Sequence, residues 1–269
     1  MTTLEDRIEI AVDENSIQGT FITPGTLVPG VLFVHGWGGS QEQYLARARE
    51  IAALGCVCLT FDLRGHAQTH LQFQTVSRAN NLRDVLAAYD LLARRRHVDP
   101  AAIAVVGSSY GGYLSAILTS MRAVKWLALR SPALYIDSGW EIPKLQLHKD
   151  QDLLSYRRSI VSAADNRALK ACHSYRGDVL LIESELDTIV PNTVLASYRE
   201  ASKNARSLTY RCIASADHGL TRESDQRAYT SLLVGWLQEM VFVARTGKLV
   251  PPSPAANQAA QPETPPATH

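Results

Sequence analysis

Two serines and three glycines crowd the stretch VVGSSYGGYL, Val105–Leu114, between an apolar run and the start of a helical period. Gly107-Ser108-Ser109-Tyr110-Gly111 fits the pattern G-x-S-x-G, a sharp strand-to-helix turn with a serine at its apex. Crowding explains the pattern: the central residue holds a strained backbone, and neighbours two positions away on either side have no room for side chains. Such a turn lifts a hydroxyl above the strand end and aims backbone N–H groups of the following helix at the same space. The register selects Ser109 rather than Ser108 as the exposed residue. The chemistry this suits is nucleophilic attack, which also requires a base, an orienting acid and donors for an oxyanion.

The chain offers candidates for all three. LTYRCIASADHGL brings His218 into a short loop before the final helical period, and of the eight histidines it alone follows a strand-like run late in the chain. VLLIESELDTIVP ends a strand and leaves Asp187 in a loop closed by Pro191. Glu183, Glu185 and Asp217 compete for the acid's role. The first two fall within or at the end of the strand, and Asp217 adjoins the histidine and points elsewhere, so a loop residue able to reach the imidazole favours Asp187. VLFVHGWGGS turns through Gly36-Trp37-Gly38-Gly39, where the N–H of Trp37 can join that of Tyr110 as an oxyanion hole. The bland readings are a brace for His35 and a buried Asp62–Arg64 pair with His66 holding loops. Trp37, Tyr110, Tyr135, Trp140 and Tyr156 are candidates for the wall of an acyl pocket or for core. Cys172-His173 lacks the partners of a metal site.

These residues need a scaffold. RIEIAVDENSIQGTFITP alternates around Asp13-Glu14-Asn15 and predicts an opening β-hairpin. GVLFVHG, CVCLTFDL, IAVVGSS, WLALRSP, VLLIESE and LTYRCIA follow as strand-length apolar runs, five of them too apolar for a wet face, as in a mostly parallel sheet. Helical periods fall at 41–53, 82–92, 110–121, 192–203 and 225–244. Strand alternating with helix predicts an α/β, doubly wound sheet. Residues 133–176 carry no buried strand and are too long for a plain loop, so they are expected to form a small helical cap insertion over one end of the sheet. Residues 249–269 are rich in proline and alanine and are expected to be disordered, which leaves 1–248 as the folded domain.

The motifs HGWGGS, FDLRGHA, GSSYGGYL, ESELDTIVP and ADHGL stand in the order seen in the α/β-hydrolase superfamily, which the chain resembles over about residues 8–245. The details are most similar to dienelactone hydrolases, feruloyl-type esterases and the catalytic domains of prolyl-oligopeptidase-like peptidases. The resemblance implies an α/β-hydrolase fold with Ser109 as nucleophile, His218 as base and Asp187 as orienting acid. It implies a serine hydrolase that cleaves a carboxylic ester without a metal or organic cofactor. The alternatives are amide or peptide hydrolysis, thioester hydrolysis or acyl transfer, and a non-catalytic ligand-binding role. Ala67 stands where the family often has glycine, and so does Ser184.

Composition bounds the rest. With 46% hydrophobic and 20% charged residues and a net charge of +1, the 269-residue chain has no electrostatic case for nucleic acid or an anionic membrane. The expected partner is a small-molecule ester, and nothing in the sequence fixes the oligomeric state. The acidic start, the absence of a membrane-spanning apolar run and four thiols expected to stay reduced point to a cytoplasmic protein. Cys56 and Cys58 share one strand face, and C-x-C is neither a zinc nor a redox pattern.

Overall fold

A computed structural model describes residues 4–23 and 28–246. The proline-rich tail expected at 249–269 lies outside the described residues. Eight strands form one sheet: β1 (Leu4–Val12), β2 (Asn15–Thr23), β3 (Val28–Val34), β4 (Val57–Phe61), β5 (Val98–Ser108), β6 (Trp126–Arg130), β7 (Asp178–Ser184) and β8 (Ser207–Ile213). Their order is β1-β2-β4-β3-β5-β6-β7-β8. β1 and β2 pair as an antiparallel hairpin, β2 is antiparallel to β4, and every later pairing is parallel. The hairpin turn places Asp13 at φ 53°, a left-handed position that aspartate tolerates. β3, β4, β6 and β7 are buried along their whole length, which is why they read as unbroken apolar runs. β8 closes the far edge and is half exposed, so Cys212 is exposed while Cys56, Cys58 and Cys172 are buried.

Helices cover both faces. α1 (Glu42–Ala53) and α8 (Glu223–Thr246) pack on one, around Tyr44, Ile51, Val106, Tyr229 and Trp236. The other face buries α2 (Arg78–Ala93), α3 (Tyr110–Leu118), α6 (Arg167–Ser174) and α7 (Asn192–Ala201). A capping box starts α2: the Ser77 hydroxyl accepts from the Asn80 amide while the Asn80 side chain accepts from the Ser77 amide.

Between β6 and β7 lie α4 (Lys144–Asp150), α5 (Leu153–Arg158) and α6. α6 packs against α3 and α7 and serves as the crossover helix, so residues 131–166 are the part that departs from strand–helix alternation. Arg78 ties this part to α2: its guanidinium donates to the carbonyls of Ile136 (2.7 Å) and Ser138 and lies 5.1 Å from the Trp140 ring centroid.

Candidate active site

Ser109 joins β5 to α3 with φ 52° and ψ −118°, a conformation that most side chains avoid. The neighbourhood holds it there. Its amide donates to the Arg130 carbonyl (2.9 Å), and its carbonyl accepts from the amides of Ala133 (3.0 Å) and Tyr113 (3.1 Å). A Cβ at Gly111 would sit 2.2 Å from the Val34 carbonyl oxygen, and one at Gly107 only 2.4 Å from Ser115 Oγ. The glycines are therefore what lets α3 start against β3. Ser108 is buried, whereas Ser109 is half-buried at the cavity above the strand ends.

His218 Nε2 lies 3.0 Å from Ser109 Oγ, and its Nδ1 lies 2.7 Å from Asp187 Oδ2. The second carboxylate oxygen, Oδ1, accepts from the amides of Ile189 (2.9 Å) and Val190 (2.8 Å), so the loop's own backbone fixes the acid. The Asp187 side chain is 2% exposed and that of His218 21%. Burial pushes the Asp187 carboxyl up, but the hydrogen bond and charge of His218 and the Val190 amide outweigh it and hold it below its ordinary value. The other acids are engaged elsewhere. Glu183 takes Asn192 and the Tyr210 hydroxyl, Glu185 accepts from the Ser215 amide, and Asp217 binds Thr221. Two backbone bonds, Leu186 N to Ala216 O (2.8 Å) and Glu185 N to Ile213 O (3.2 Å), clamp the acid and histidine loops together.

The loop after β3 passes beside the serine, where a Cβ at Gly36 would lie 3.3 Å from Ser109 Cβ. The Trp37 amide has no acceptor among the described residues, and Tyr110 is the first residue of α3, before the helix's own ladder begins. Both amides are thus available to an oxygen at the serine. Two buried histidines brace this loop. His35 Nε2 accepts from the Leu63 amide (3.0 Å), which leaves Nδ1 as the protonated nitrogen donating to the Gly36 carbonyl (2.7 Å). His66 Nε2 accepts from the Gly38 amide (3.0 Å). Burial drives His35 down to about 3 and lowers His66, so both stay neutral. Asp62 stands 3.9 Å from His35 Nε2, but a neutral ring already accepting an amide makes no ion pair with it. The Asp62 carboxylate instead takes the Gln41 amide (2.8 Å) and side chain (2.9 Å) at the start of α1. Arg64 pairs with Asp84 at 2.5 Å, away from the serine. Ala67 adopts φ 44°, the left-handed geometry for which glycine is the ordinary choice.

A cavity of about 280 Å³ opens at Ser109 and His218. Its far wall is polar and comes from α1, α8 and the end of β6, chiefly Tyr44, Arg47, Arg130, Gln226 and Tyr229. Of the aromatic residues expected to wall it, Trp37 does so. Tyr110 and Tyr135 are buried in the core on the opposite face, with Trp140 and Tyr156 packed against it. The Tyr110 hydroxyl donates to Asn81 (3.1 Å), and the buried Lys144 lies 3.9 Å from the Trp37 ring centroid and 4.9 Å from that of Tyr110.

The prolyl oligopeptidase family matches residues 41–242, about three-quarters of the chain. The chain belongs to the prolyl oligopeptidase family. As a member it is a hydrolase of the α/β-hydrolase superfamily, and solved structures share its fold. A dienelactone hydrolase from Anabaena variabilis superposes with a TM-score of 0.63 at 18% identity, covering 88% of this chain and 98% of that one. Est1E from Butyrivibrio proteoclasticus, solved with ferulic acid bound, gives 0.67 at 17% identity over 90% of this chain and all of that one, 100%. Acylaminoacyl peptidase from Pyrococcus horikoshii gives 0.66 at 16% identity, with 88% of this chain covered but only 42% of the peptidase. No curated protein sequence matches the chain.

In this prolyl oligopeptidase-family chain the line Asp187–His218–Ser109 can draw a proton from a hydroxyl and return it to a leaving group. Among the described residues, no group of three His, Cys, Asp or Glu side chains could hold a metal ion, and no helix is long and apolar enough to cross a membrane. Sequence reading passed over Arg47 and Arg130. The signal was present for Arg130, a charged residue ending the apolar run WLALR at the strand end where ligands collect in open α/β sheets. Arg47 was legible as a cation three residues after Tyr44 and one before Ala48, on the buried stripe of α1.

Proposed function

We propose that the protein is a carboxylic ester hydrolase that works through an acyl-enzyme on Ser109. His218 Nε2 takes the proton as Oγ attacks the ester carbonyl, and Asp187 holds the imidazole in the tautomer that can accept it. The amides of Trp37 and Tyr110 receive the oxyanion. The intermediate then breaks its bond to the alcohol oxygen, which leaves with the proton from Nε2. Water attacks the acyl-enzyme, gives a proton to Nε2, and Oγ departs with that proton as the acid is released. No metal or organic cofactor enters these steps. The observation that carries this reading is the 3.0 Å contact of His218 Nε2 with Ser109 Oγ, backed by Asp187 at 2.7 Å. The bound ferulic acid of Est1E and the dienelactone hydrolase likeness favour an ester over an amide. Peptide hydrolysis is the second reading, supported by the family's name and the acylaminoacyl peptidase likeness.

The test is hydrolysis of p-nitrophenyl esters of graded acyl length and labelling by a fluorophosphonate, with wild type and Ser109→Ala. Turnover and labelling should both vanish in the variant, with kcat down by about 10⁶-fold where the residual rate can be read. A folded wild type that hydrolyses short peptide amides but no ester would move the assignment to a peptidase.

A further inference from the structure

The cavity at Ser109 has two guanidinium groups in its wall and no aspartate or glutamate. Arg47 is 9% exposed and Arg130 8%, so both cations are largely withdrawn from water. They stand over one tyrosine ring: the Tyr229 centroid is 4.7 Å from Arg47 Cζ and 5.8 Å from Arg130 Cζ. Neither has a carboxylate partner among the described residues, although nine other arginines do. Arg130 is explained in part by structure, since it donates to the His218 carbonyl (2.9 Å) and lies 3.4 Å from the Ser108 hydroxyl. Arg47 is not. Among the described residues its guanidinium donates one hydrogen bond, to the Gln43 carbonyl of its own helix (2.6 Å), and its Nε is buried with no hydrogen-bond partner.

Two like charges held together out of water oppose folding unless something of opposite sign repays them. A guanidinium keeps its charge when buried and presents a planar fork that fits a carboxylate. The Arg130 contacts with Ser108 and the His218 carbonyl put this cationic wall within one residue of both reacting groups. We infer that the cavity takes substrates bearing a carboxylate a short distance from the scissile ester, gripped between Arg47 and Arg130. The natural substrate class is then a half-ester of a short dicarboxylic acid, or a carboxylate-bearing ester of similar reach. This rests on the reading of Ser109 as nucleophile.

The test compares the monomethyl and dimethyl esters of succinic, glutaric and adipic acid in a pH-stat. Each pair shares a carbon skeleton and differs in one charge. For the best-fitting length, kcat/KM of the monoester should exceed that of the diester at least tenfold. In Arg47→Gln that ratio should fall at least tenfold, and Arg47→Lys, which keeps a charge without the fork, should retain part of it. Calorimetry of glutarate binding to Ser109→Ala gives a readout that needs no turnover, and adding Arg47→Gln should weaken that binding at least tenfold. A monoester-to-diester ratio near or below one at every length, with the diesters hydrolysed, overturns the carboxylate pocket and leaves the esterase reading standing. Absence of turnover and of fluorophosphonate labelling, with glutarate still bound through Arg47, overturns the esterase reading instead. Glutarate binding that does not depend on Arg47 overturns the pocket in either case.

Discussion

Asp187→Asn is the sharpest perturbation of the site, because the surrounding loop dictates which way the new amide must lie. Oδ1 of Asp187 accepts two backbone N–H groups, from Ile189 and Val190, at 2.9 and 2.8 Å. An asparagine keeps both bonds only if its oxygen takes that position, which turns its NH₂ group toward His218 Nδ1. Nδ1 must then accept, the ring proton moves to Nε2, and the nitrogen 3.0 Å from Ser109 Oγ becomes a donor. A base in the wrong tautomer cannot take the serine proton, and the corresponding loss in a Ser-His-Asp site is about 10⁴ in kcat, or about 5.4 kcal/mol of transition-state stabilisation. The isosteric change leaves volume and both loop bonds intact, so KM and the melting temperature should move little. Steady-state hydrolysis of p-nitrophenyl butyrate by wild type and variant reads the effect, with circular dichroism to confirm the fold. A folded variant retaining more than about a tenth of kcat would refute the assignment of Asp187 and reopen that of Glu183, Glu185 and Asp217.

Two further changes probe the supports of the site. The folded pKa of His35, about 3, lies below its ordinary 6.5, so between these values the unfolded chain binds a proton that the folded chain does not. Its contribution is intact above about pH 6.5 and is lost as pH falls toward 3, at about 1.4 kcal/mol per pH unit. Urea unfolding at pH 7, 6 and 5 should show that slope, with His66 adding to it, and His35→Gln should remove about one proton's share; an unchanged slope would contradict the neutral brace. Gly111→Ala would drive a methyl to within 2.2 Å of the Val34 carbonyl oxygen, and overpacking against rigid backbone costs about 2 kcal/mol or more. Scanning calorimetry should record a melting temperature at least about 4 °C lower, and an unchanged value would mean that α3 is not wedged against β3 as described.

How much of this was legible in the chain follows from how local each feature is. β3, β4, β6 and β7 are buried on both sides, so their sequences carry no competing polar signal and their boundaries read cleanly. The Ser109 turn was legible because its steric requirement falls on residues two positions away, within the same short stretch. Arg47 and Arg130 are far apart in sequence and come together only because the Tyr229 ring of α8 lies against both. The crossover helix α6 hid in an otherwise irregular region, although Asn166, which accepts from the amides of Ala168 and Leu169, marks its start. Its buried residues Ala168, Leu169, Ala171 and Cys172 repeat at helical spacing over only 8 residues. A stretch that short gives periodicity little purchase, and the whole of 133–176 then reads as one insertion.

The sheet separates two sets of side chains that serve the same serine. Tyr44, Arg47, Gln226 and Tyr229 wall the cavity from α1 and α8 on one face, while Tyr110, Tyr135 and the segment tied down by Arg78 pack on the other. Substitutions that share no partners combine additively, so the two sets can change independently of each other. A library randomised at Gln43, Arg47 and Gln226 would recast the charge and width of the wall without touching the elbow, the histidine braces or the acid loop. The same partition lets a lineage exchange one substrate for another by drift along two helices, with the machinery beneath held constant.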